Sequence, residues 1–456
     1  MKLKVNAVLD EKFMPMSLML RKFQENAKAA GGKEITIGIG RTGGLMSVYK
    51  MFVYPDGDRH DNDNFRMVER VVKSLLWIYG GYKIVIYGSS VIGEAIRAAY
   101  VKDALREFDR DFMSGVYENE FEVVVSDTEP KANENPKPVG RHLDGCRIGF
   151  DAGGSDRKVS AVIDGEPVYS EEVVWFPKIN EDPQYHYDGI LAAMRSAAEH
   201  MPRVDAIGVS SAGVYIDNKI MVASLFLKVP KDQFDSKVKT MYMDIAKTFG
   251  DVPLEVANDG DVTALAGAMS LEDNNVLGVA MGTSEAGGYV DGSGNITGWL
   301  NELAFVPVDF CREAMVDEWS GDYGCGVKYF SQDGVIKLAP AAGIVLDEKL
   351  SPAEKLKVVQ GLMSEGDERA AKIYETIGVY FGYAVAYYAM FYDIKHVLVM
   401  GRVTSGEGGV LIIDKANEVL DKEFPELAAK IKVQIPDEKS RRVGQSVAAA
   451  SLPEIK

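Results

Sequence analysis

Cysteine is scarce in this chain of 456 residues, and the few cysteines present do not cluster. The three of them, Cys146, Cys311 and Cys325, are widely spaced, and none forms a Cys-x-x-Cys pair. A disulfide framework and a four-ligand zinc site both use closely spaced cysteines, so neither fits this sequence.

An excess of positive charge and long hydrophobic runs are also missing. Lys and Arg number 51 against 68 Asp and Glu, which gives a net charge of -17. An acidic surface repels phosphate backbones and anionic membranes, so neither nucleic acid nor a membrane is an expected partner. Because there is no run of ~18 apolar residues and no apolar leader at the start, we expect a cytoplasmic protein.

The length of the chain indicates more than one domain, since one core rarely extends beyond ~250–300 residues. The clearest boundary is SDTEPKANENPKPVGRH, residues 126–142, which is polar, contains three prolines and has no hydrophobic period. We predict an N-terminal α/β domain of unknown role over 1–125 and a linker over 126–145. Strand-like and helix-like runs alternate on both sides, which predicts an α/β fold. Among these runs we predict strands over 34–40 and 45–55 and helices over 67–79, 91–108 and 369–392.

Three glycine-rich turns follow apolar runs: DAGGS at 151–155, GTSEAGG at 282–288 and GRVTSGEGG at 401–409. Glycine lets a backbone approach a phosphate closely and point its N–H groups at it, although hairpins use the same residues. Together with a carboxylate that ends another apolar run, Asp259, the three turns indicate phosphoryl transfer. In that reaction one carboxylate accepts the proton of the attacking hydroxyl.

The stretch that contains this carboxylate, VANDGDVTALAG at 256–267, has two interpretations. Asn-Asp-Gly commonly ends a strand, so these residues can form a plain turn. Alternatively, Asp259 is a general base where a strand meets a helix, which the three glycine turns favour.

With these motifs in this order, residues 146–450 resemble the ROK-family sugar kinases (repressor, open reading frame, kinase) of the actin-like ATPase superfamily. DAGGS resembles the first phosphate motif, GTSEAGG the second, VANDGDVTALAG the Asn-Asp motif and HVLVMGRVTSGEGG the adenosine motif. The resemblance implies a two-lobed actin-like (ribonuclease H-like) fold. A small lobe over 146–265 would carry the catalytic Asp, and a large lobe over 266–456 would bind the nucleotide.

The resemblance also implies a role for each matching residue. Asp259 would deprotonate a hydroxyl of a sugar or related polyol. The substrate would be bound by Asn258, Glu302, Ser211 and Gly213. ATP would be bound by Asp151, Gly153, Gly154, Ser155, Gly282, Thr283, Gly401 and Arg402, with Asp151 also holding Mg²⁺ through water. ATP and Mg²⁺ are the implied cofactors, the sugar or polyol and ATP are the implied partners, and a homodimer is left open.

The region after the second phosphate motif departs from the family pattern. Where the family has Glu-x-Gly-His, this chain has Glu302-Leu303-Ala304-Phe305, and Phe305 cannot bind a hydroxyl or a metal. Where many members have a cysteine-rich zinc loop, this chain keeps only Cys325. We therefore expect no structural zinc.

The second phosphate loop departs from the pattern as well. Ser284, Glu285 and Ala286 stand where the family often has Gly, an apolar residue and Gly. A charged Glu285 beside a phosphate would be repulsive unless it points away or binds the metal. The alternative function is therefore a non-catalytic sugar-binding or regulatory protein on the same fold.

Overall fold

The computed structural model describes residues 2–57, 59–134, 139–436 and 444–455. Residues 135–138 of the predicted linker lie outside the described residues. The strands are β1 (Lys33–Gly40), β2 (Met46–Val53), β3 (Lys83–Tyr87), β4 (Glu122–Ser126), β5 (Cys146–Ala152), β6 (Asp156–Ile163), β7 (Glu166–Val174), β8 (Ala206–Ser211), β9 (Val214–Ile216), β10 (Lys219–Val222), β11 (Leu254–Asn258), β12 (Val276–Met281), β13 (Glu285–Val290), β14 (His396–Met400) and β15 (Lys432–Gln434). The helices are α1 (Met16–Ala29), α2 (Asp61–Tyr79), α3 (Ser90–Ala99), α4 (Glu107–Tyr117), α5 (Pro183–Ala198), α6 (Lys231–Gln233), α7 (Met241–Lys247), α8 (Asp259–Leu271), α9 (Gln332–Leu338), α10 (Pro352–Ser364), α11 (Glu368–Tyr388), α12 (Glu407–Glu423), α13 (Pro425–Ala428) and α14 (Gly444–Ala450).

The chain divides into two compact units, each built from separate stretches of sequence. Unit 1 comprises Met1–Asn135, Val279–Gly287 and Trp299–Ile435. Unit 2 comprises Pro136–Gly278, Gly288–Gly298 and Pro436–Lys456. The α/β fold predicted from the alternating runs is confirmed, while the domain limits predicted from the sequence stay a prediction.

Unit 2 contains a five-stranded sheet in the order β11-β8-β5-β6-β7. β5, β8 and β11 run parallel, whereas β6 and β7 are antiparallel additions. α14 approaches the sheet so closely that a Cβ at Gly149 would lie 1.9 Å from the carbonyl oxygen of Ser446. Gly208 faces Ala449 in the same way, at 1.7 Å. Glycine at these two strand positions therefore lets helix and sheet backbones meet.

The parallel strands of this sheet bring polar residues to one edge. Asp151 near the end of β5 is paired with Ser210 of β8, and Ser211 is paired with Asn258 at the end of β11. Ligands of open α/β sheets bind beside the carboxyl ends of such strands. This edge of unit 2 is therefore the first place to look for a functional site.

Unit 1 contains a four-stranded sheet in the order β2-β1-β3-β4, in which β1 is antiparallel to both neighbours and β3 is parallel to β4. The strands predicted over 34–40 and 45–55 are β1 and β2, and the helix predicted over 67–79 is the buried part of α2.

The single helix expected over 91–108 is wrong, because α3 ends at Ala99 and α4 begins at Glu107. Between them Asp103 adopts a left-handed backbone conformation with φ 61°. The N–H of Arg106 turns back to the carbonyl oxygen of Ala99 at 2.7 Å. The Arg106 side chain, at the end of this turn, belongs to a buried group of ions described below.

A further four-stranded sheet has the order β13-β12-β14-β15, with β14 and β15 parallel. The helix predicted over 369–392 is α11, whose residues from Ile377 to Tyr388 are all buried. Among the helices that the structure describes, none is both long enough and apolar enough to cross a membrane.

Candidate functional site

Asp151 is a buried carboxyl at the polar edge of the unit 2 sheet. Its Oδ1 accepts a hydrogen bond from the hydroxyl of Ser210 at 2.8 Å. Burial raises the pKa of Asp151 to about 6; the Ser210 hydrogen bond opposes this shift and the negative charge of Asp259 adds to it. At neutral pH most of this carboxyl is ionised, so it can bind a cation through its oxygens.

Asp259 is the first residue of α8 and is half-buried. Burial raises the pKa of its carboxyl, while the N–H of Gly260, at 3.0 Å from Oδ1, and the positive charge of Lys178 act in the opposite direction. The N-terminal end of a helix tolerates a carboxylate well, so the ionised form remains accessible there. A carboxylate that burial makes more basic, at the end of a parallel strand, is a candidate general base.

Asn258 fixes the geometry around this carboxylate. Its Oδ1 accepts from the N–H of Gly260 at 2.8 Å, which caps α8, and its Nδ2 donates to the carbonyl oxygen of Gly213 at 2.7 Å. Ser211 is buried one strand away and accepts from the hydroxyl of Tyr242 at 3.2 Å. The structure thus brings Asn258, Gly213 and Ser211 together around the start of α8.

The first glycine turn lies at the end of β5. A Cβ at Gly153 would lie 2.6 Å from the carbonyl oxygen of Asp156, and one at Gly154 would lie 2.6 Å from Cε and 2.8 Å from Nζ of Lys178. The hydroxyl of Ser155 donates to the Asp156 carboxylate at 3.0 Å. The turn is therefore tight, and an ammonium group lies directly against it.

Lys178 is the functional candidate that the sequence does not reveal. It stands in an ordinary polar segment 24 positions after Gly154, with no motif around it. The β6–β7 hairpin returns the chain to the turn, where the N–H of Trp175 donates to the carbonyl oxygen of Ser155 at 3.1 Å. Only that long-range pairing places the lysine beside both the turn and Asp259.

Unit 1 brings the other two glycine turns together. Gly401, with φ 102°, follows β14, and a Cβ there would lie 2.4 Å from the carbonyl oxygen of Met281 at the end of β12. The next residues, Gly282 and Thr283, begin the second turn, in which the N–H of Gly282 donates to the carbonyl oxygen of Ser284 at 2.9 Å. Arg402 is exposed beside them.

Glu285 does not extend from this turn as a charged group. It is the first residue of β13 and is buried, and its Oε1 accepts from the hydroxyl of Tyr388 at 3.3 Å. Its Oε2 lies so close to Gly326 that a Cβ added to that glycine would be only 2.2 Å from the oxygen. Burial raises the pKa of Glu285 to about 8, with the charge of Glu302 adding to the shift, so the carboxyl is mostly neutral at pH 7. The repulsion expected of a charged Glu285 is therefore weakened.

Glu302 is held by the N-terminal part of unit 1. Its backbone N–H donates to the carbonyl oxygen of Trp77, and that of Asn301 donates to Ile78, both at 2.9 Å. These acceptors belong to the last turn of α2, whose carbonyls lack partners within the helix. Phe305 packs on Trp77 with ring centroids 4.2 Å apart. Phe305 is therefore a core residue that anchors this segment.

The loop that follows carries a buried group of ions. The carboxylate of Asp322 forms ion pairs with Arg70, Lys73 and Arg106, with N–O distances of 2.7, 2.7 and 2.8 Å. Burial alone would raise the pKa of Asp322, but the three cations hold it well below its usual range. The Cys325 thiol points at the same carboxylate at 3.7 Å, and burial raises its pKa to about 11, so it stays protonated. Within the described ranges no cluster of three or more His, Cys, Asp or Glu side chains could hold a metal ion; the expectation of no structural zinc stays a prediction.

Comparison with known proteins agrees with this architecture. The structure is similar to a ROK hexokinase from Thermus thermophilus, with a TM-score of 0.52 and 17% identity over 67% of this chain and 97% of that one. It is equally similar to a ROK family transcriptional regulator, a homologue of the E. coli MLC protein, with a TM-score of 0.51 and 18% identity over 68% and 78% of the two chains. The fold is thus the actin-like α/β fold of ROK sugar kinases and regulators.

The sequence matches the ROK family over residues 147–450, well over half of the chain. This protein belongs to the ROK family, as its motifs predicted. No curated protein sequence matches it.

Proposed function

We propose that this ROK protein is a kinase that transfers the γ-phosphate of ATP to a hydroxyl of a sugar or related polyol. The observation that carries the proposal is the position of Asp259, a half-buried carboxyl with a raised pKa at the end of β11 and the start of α8. As the substrate oxygen bonds to phosphorus and the bond to the ADP oxygen breaks, the Asp259 carboxylate accepts the hydroxyl proton.

Asn258, Gly213, Ser211 and Glu302 are proposed to bind the substrate. An asparagine amide has two N–H donors, and Asn258 uses one of them on Gly213. Among the described residues the second donor has no acceptor, so it can serve a substrate hydroxyl, and holding the loop and binding the substrate are compatible roles. The carboxylate of Glu302 would accept from another hydroxyl.

The glycine turns are proposed to bind ATP. In unit 2, Gly153, Gly154 and Ser155 would contact its phosphates, with Lys178 supplying positive charge. In unit 1, Gly282 and Thr283 would contact phosphates, and Gly401 and Arg402 would lie by the adenosine. Asp151 offers the ionised oxygens that Mg²⁺ prefers and would hold the ion through water. The bound ion would neutralise part of the phosphate charge.

The alternative is a non-catalytic ROK regulator that binds a sugar without phosphorylating it. The similarity to a ROK transcriptional regulator keeps this alternative in place, because the same fold serves both functions. The neutral Glu285 supports the kinase instead, since it leaves less charge to repel a phosphate.

ADP release from Mg-ATP, measured with a panel of hexoses, amino sugars, polyols and cyclitols, separates the two functions. For a kinase we expect acceptor-dependent turnover that falls by about 10²–10⁴-fold in Asp259→Asn, the usual size of a general-base contribution. Asp414→Asn, at an exposed position on α12, is the matched control and should keep full activity. Sugar binding by calorimetry without any turnover would establish the regulator.

A further inference from the structure

Unit 1 contains a cavity lined by reactive side chains to which the kinase proposal assigns no role. The cavity has a volume of about 430 Å³, within the range of small-molecule sites. Polar groups from four parts of the chain converge on it, including Asp10, Asp309, Tyr329 and Lys337, while Leu9, Met315 and Leu338 supply apolar wall. Such a combination of apolar wall and few polar groups is typical of a ligand site.

The amine of Lys337 is the unusual member of this group. Its Nζ lies over the ring of Tyr329, 3.3 Å from the centroid, and 5.0 Å from that of Tyr380. Among the described residues it has no hydrogen bond and no ion pair. Burial lowers the pKa of Lys337 to about 8, although the charges of Asp10 and Asp309 act in the opposite direction. At pH 7.5 roughly a quarter of such an amine is uncharged, against roughly a thousandth of an ordinary lysine.

The neighbouring carboxyls are held in place by other partners. Asp309 accepts from the hydroxyl of Tyr329 at 2.7 Å and from the N–H groups of Met14 and Cys311 at 3.0 and 2.8 Å. Asp10 accepts from the hydroxyl of Tyr380 at 2.6 Å. Both tyrosine rings are thereby fixed under the Lys337 amine.

The charge of the cavity limits the class of ligand. Asp10, Asp309 and Glu313 line it against only two amines, Lys12 and Lys337, and Lys12 is already paired with Glu313. An anionic ligand would meet this excess of carboxyls. A neutral ligand with hydroxyl donors would instead find acceptors in the carboxylates, and a carbonyl group would find the amine.

We propose that this cavity binds a small uncharged hydroxy-aldehyde or hydroxy-ketone, which condenses with the amine of Lys337. The Nζ lone pair of the uncharged amine forms a bond to the carbonyl carbon, and the nitrogen then gives up its two protons. The carbonyl oxygen takes up two protons in balance and leaves as water, so that a carbon–nitrogen double bond, an imine, replaces the carbonyl. No oxidant or reductant is needed. Asp10 and Asp309 are two carboxyls of the cavity that can exchange protons with the departing oxygen.

The test uses the full chain with D-glyceraldehyde and sodium cyanoborohydride, which reduces imines to stable adducts that peptide mass spectrometry locates. The reference is Lys357, an exposed lysine on α10. At pH 7.5 we expect label to accumulate on Lys337 at least tenfold faster than on Lys357, because a larger fraction of the Lys337 amine is uncharged. The rate at Lys337 should saturate with aldehyde concentration, whereas the rate at Lys357 should stay linear.

Two further measurements sharpen the outcome. The ratio of the two rates should fall as pH rises from 8 to 10. About half of the Lys337 amine is already uncharged at pH 8, so its rate can gain little more, whereas the uncharged fraction of an ordinary lysine still rises many-fold. The groups that face Lys337 are Asp10, Asp309, Tyr329 and Tyr380, with Lys328 nearby. Glyoxylate, an anionic aldehyde, should label Lys337 less selectively than glyceraldehyde does. Lys337→Met should remove the fast adduct and Lys357→Met should keep it. Labelling of Lys337 that is no faster than that of Lys357, or that never saturates, overturns the proposal.

Discussion

The backbone N–H of Glu302 donates to the carbonyl oxygen of Trp77 at 2.9 Å, across 225 positions of sequence. Glu302 is a proposed substrate ligand inside the ROK-matched region, while Trp77 lies on α2, which precedes that region. The last turn of α2 therefore serves as an anchor for the segment that carries Glu302. The N-terminal residues thus support the proposed substrate side of unit 1 directly.

Phe305 secures the same anchor through its ring. Replacing it with His, the residue that the family pattern has there, puts a polar ring among Trp77, Phe108 and Trp319. A buried polar group without a hydrogen-bond partner lowers the free energy of unfolding by about 1–3 kcal/mol. We therefore expect Phe305→His to lower the midpoint of thermal unfolding. Calorimetry measures this, with Phe176→His, at an exposed phenylalanine, as the control. An unchanged midpoint would contradict the anchoring role.

The ions around Asp322 form a second anchor for this loop. Asp322→Asn leaves Arg70, Lys73 and Arg106 buried with one fewer negative charge, and breaking a buried pair in this way typically costs about 3–5 kcal/mol. Glu318→Gln is the control, because that carboxylate is 75% exposed and its ion pair should contribute no more than about 1 kcal/mol. Urea unfolding of the two variants at pH 7 compares them. Similar losses in both would show that the buried group is not a stabilising centre.

The sequence predicts the features that depend on local patterns and misses those that depend on contacts between residues distant in the chain. Apolar runs identify β1, β2 and α2, because hydrophobic periodicity is local, and the Asn-Asp motif predicts a strand–helix junction at Asp259 that the structure has. Lys178 could not be predicted, since the β6–β7 pairing that returns it to Gly154 is a long-range event. The break at Asp103 was missed because Arg106, just after it, pairs with Glu69 and Asp322, which are distant in sequence.

Glu285 gives a prediction about pH and stability. Its pKa of about 8 in the folded protein exceeds the ordinary value of 4.5, so the folded state holds a proton that the unfolded state has lost. Its contribution therefore favours folding at low pH, and that contribution is lost as pH rises from about 4.5 to 8, at up to about 1.4 kcal/mol per pH unit. The Glu285→Gln variant has no carboxyl at this position and does not show this fall in stability. The free energy of unfolding of the variant, minus that of the wild type, should therefore increase from pH 4.5 to pH 8. Parallel pH profiles from urea unfolding would show that Glu285 is ionised.

Lys178 gives a prediction about the proposed reaction. Its positive charge lowers the pKa of Asp259, so Lys178→Met should move the acidic limb of the kcat/KM profile to higher pH, where the base must lose its proton. The same variant should raise KM for ATP, because the ammonium beside Gly154 is lost from the proposed phosphate turn. Lys228→Met, at an exposed lysine of unit 2, is the matched control and should move neither quantity. A raised KM with an unmoved acidic limb would mean that Lys178 binds phosphate but does not influence Asp259. If neither quantity changes, Lys178 has no role in the site.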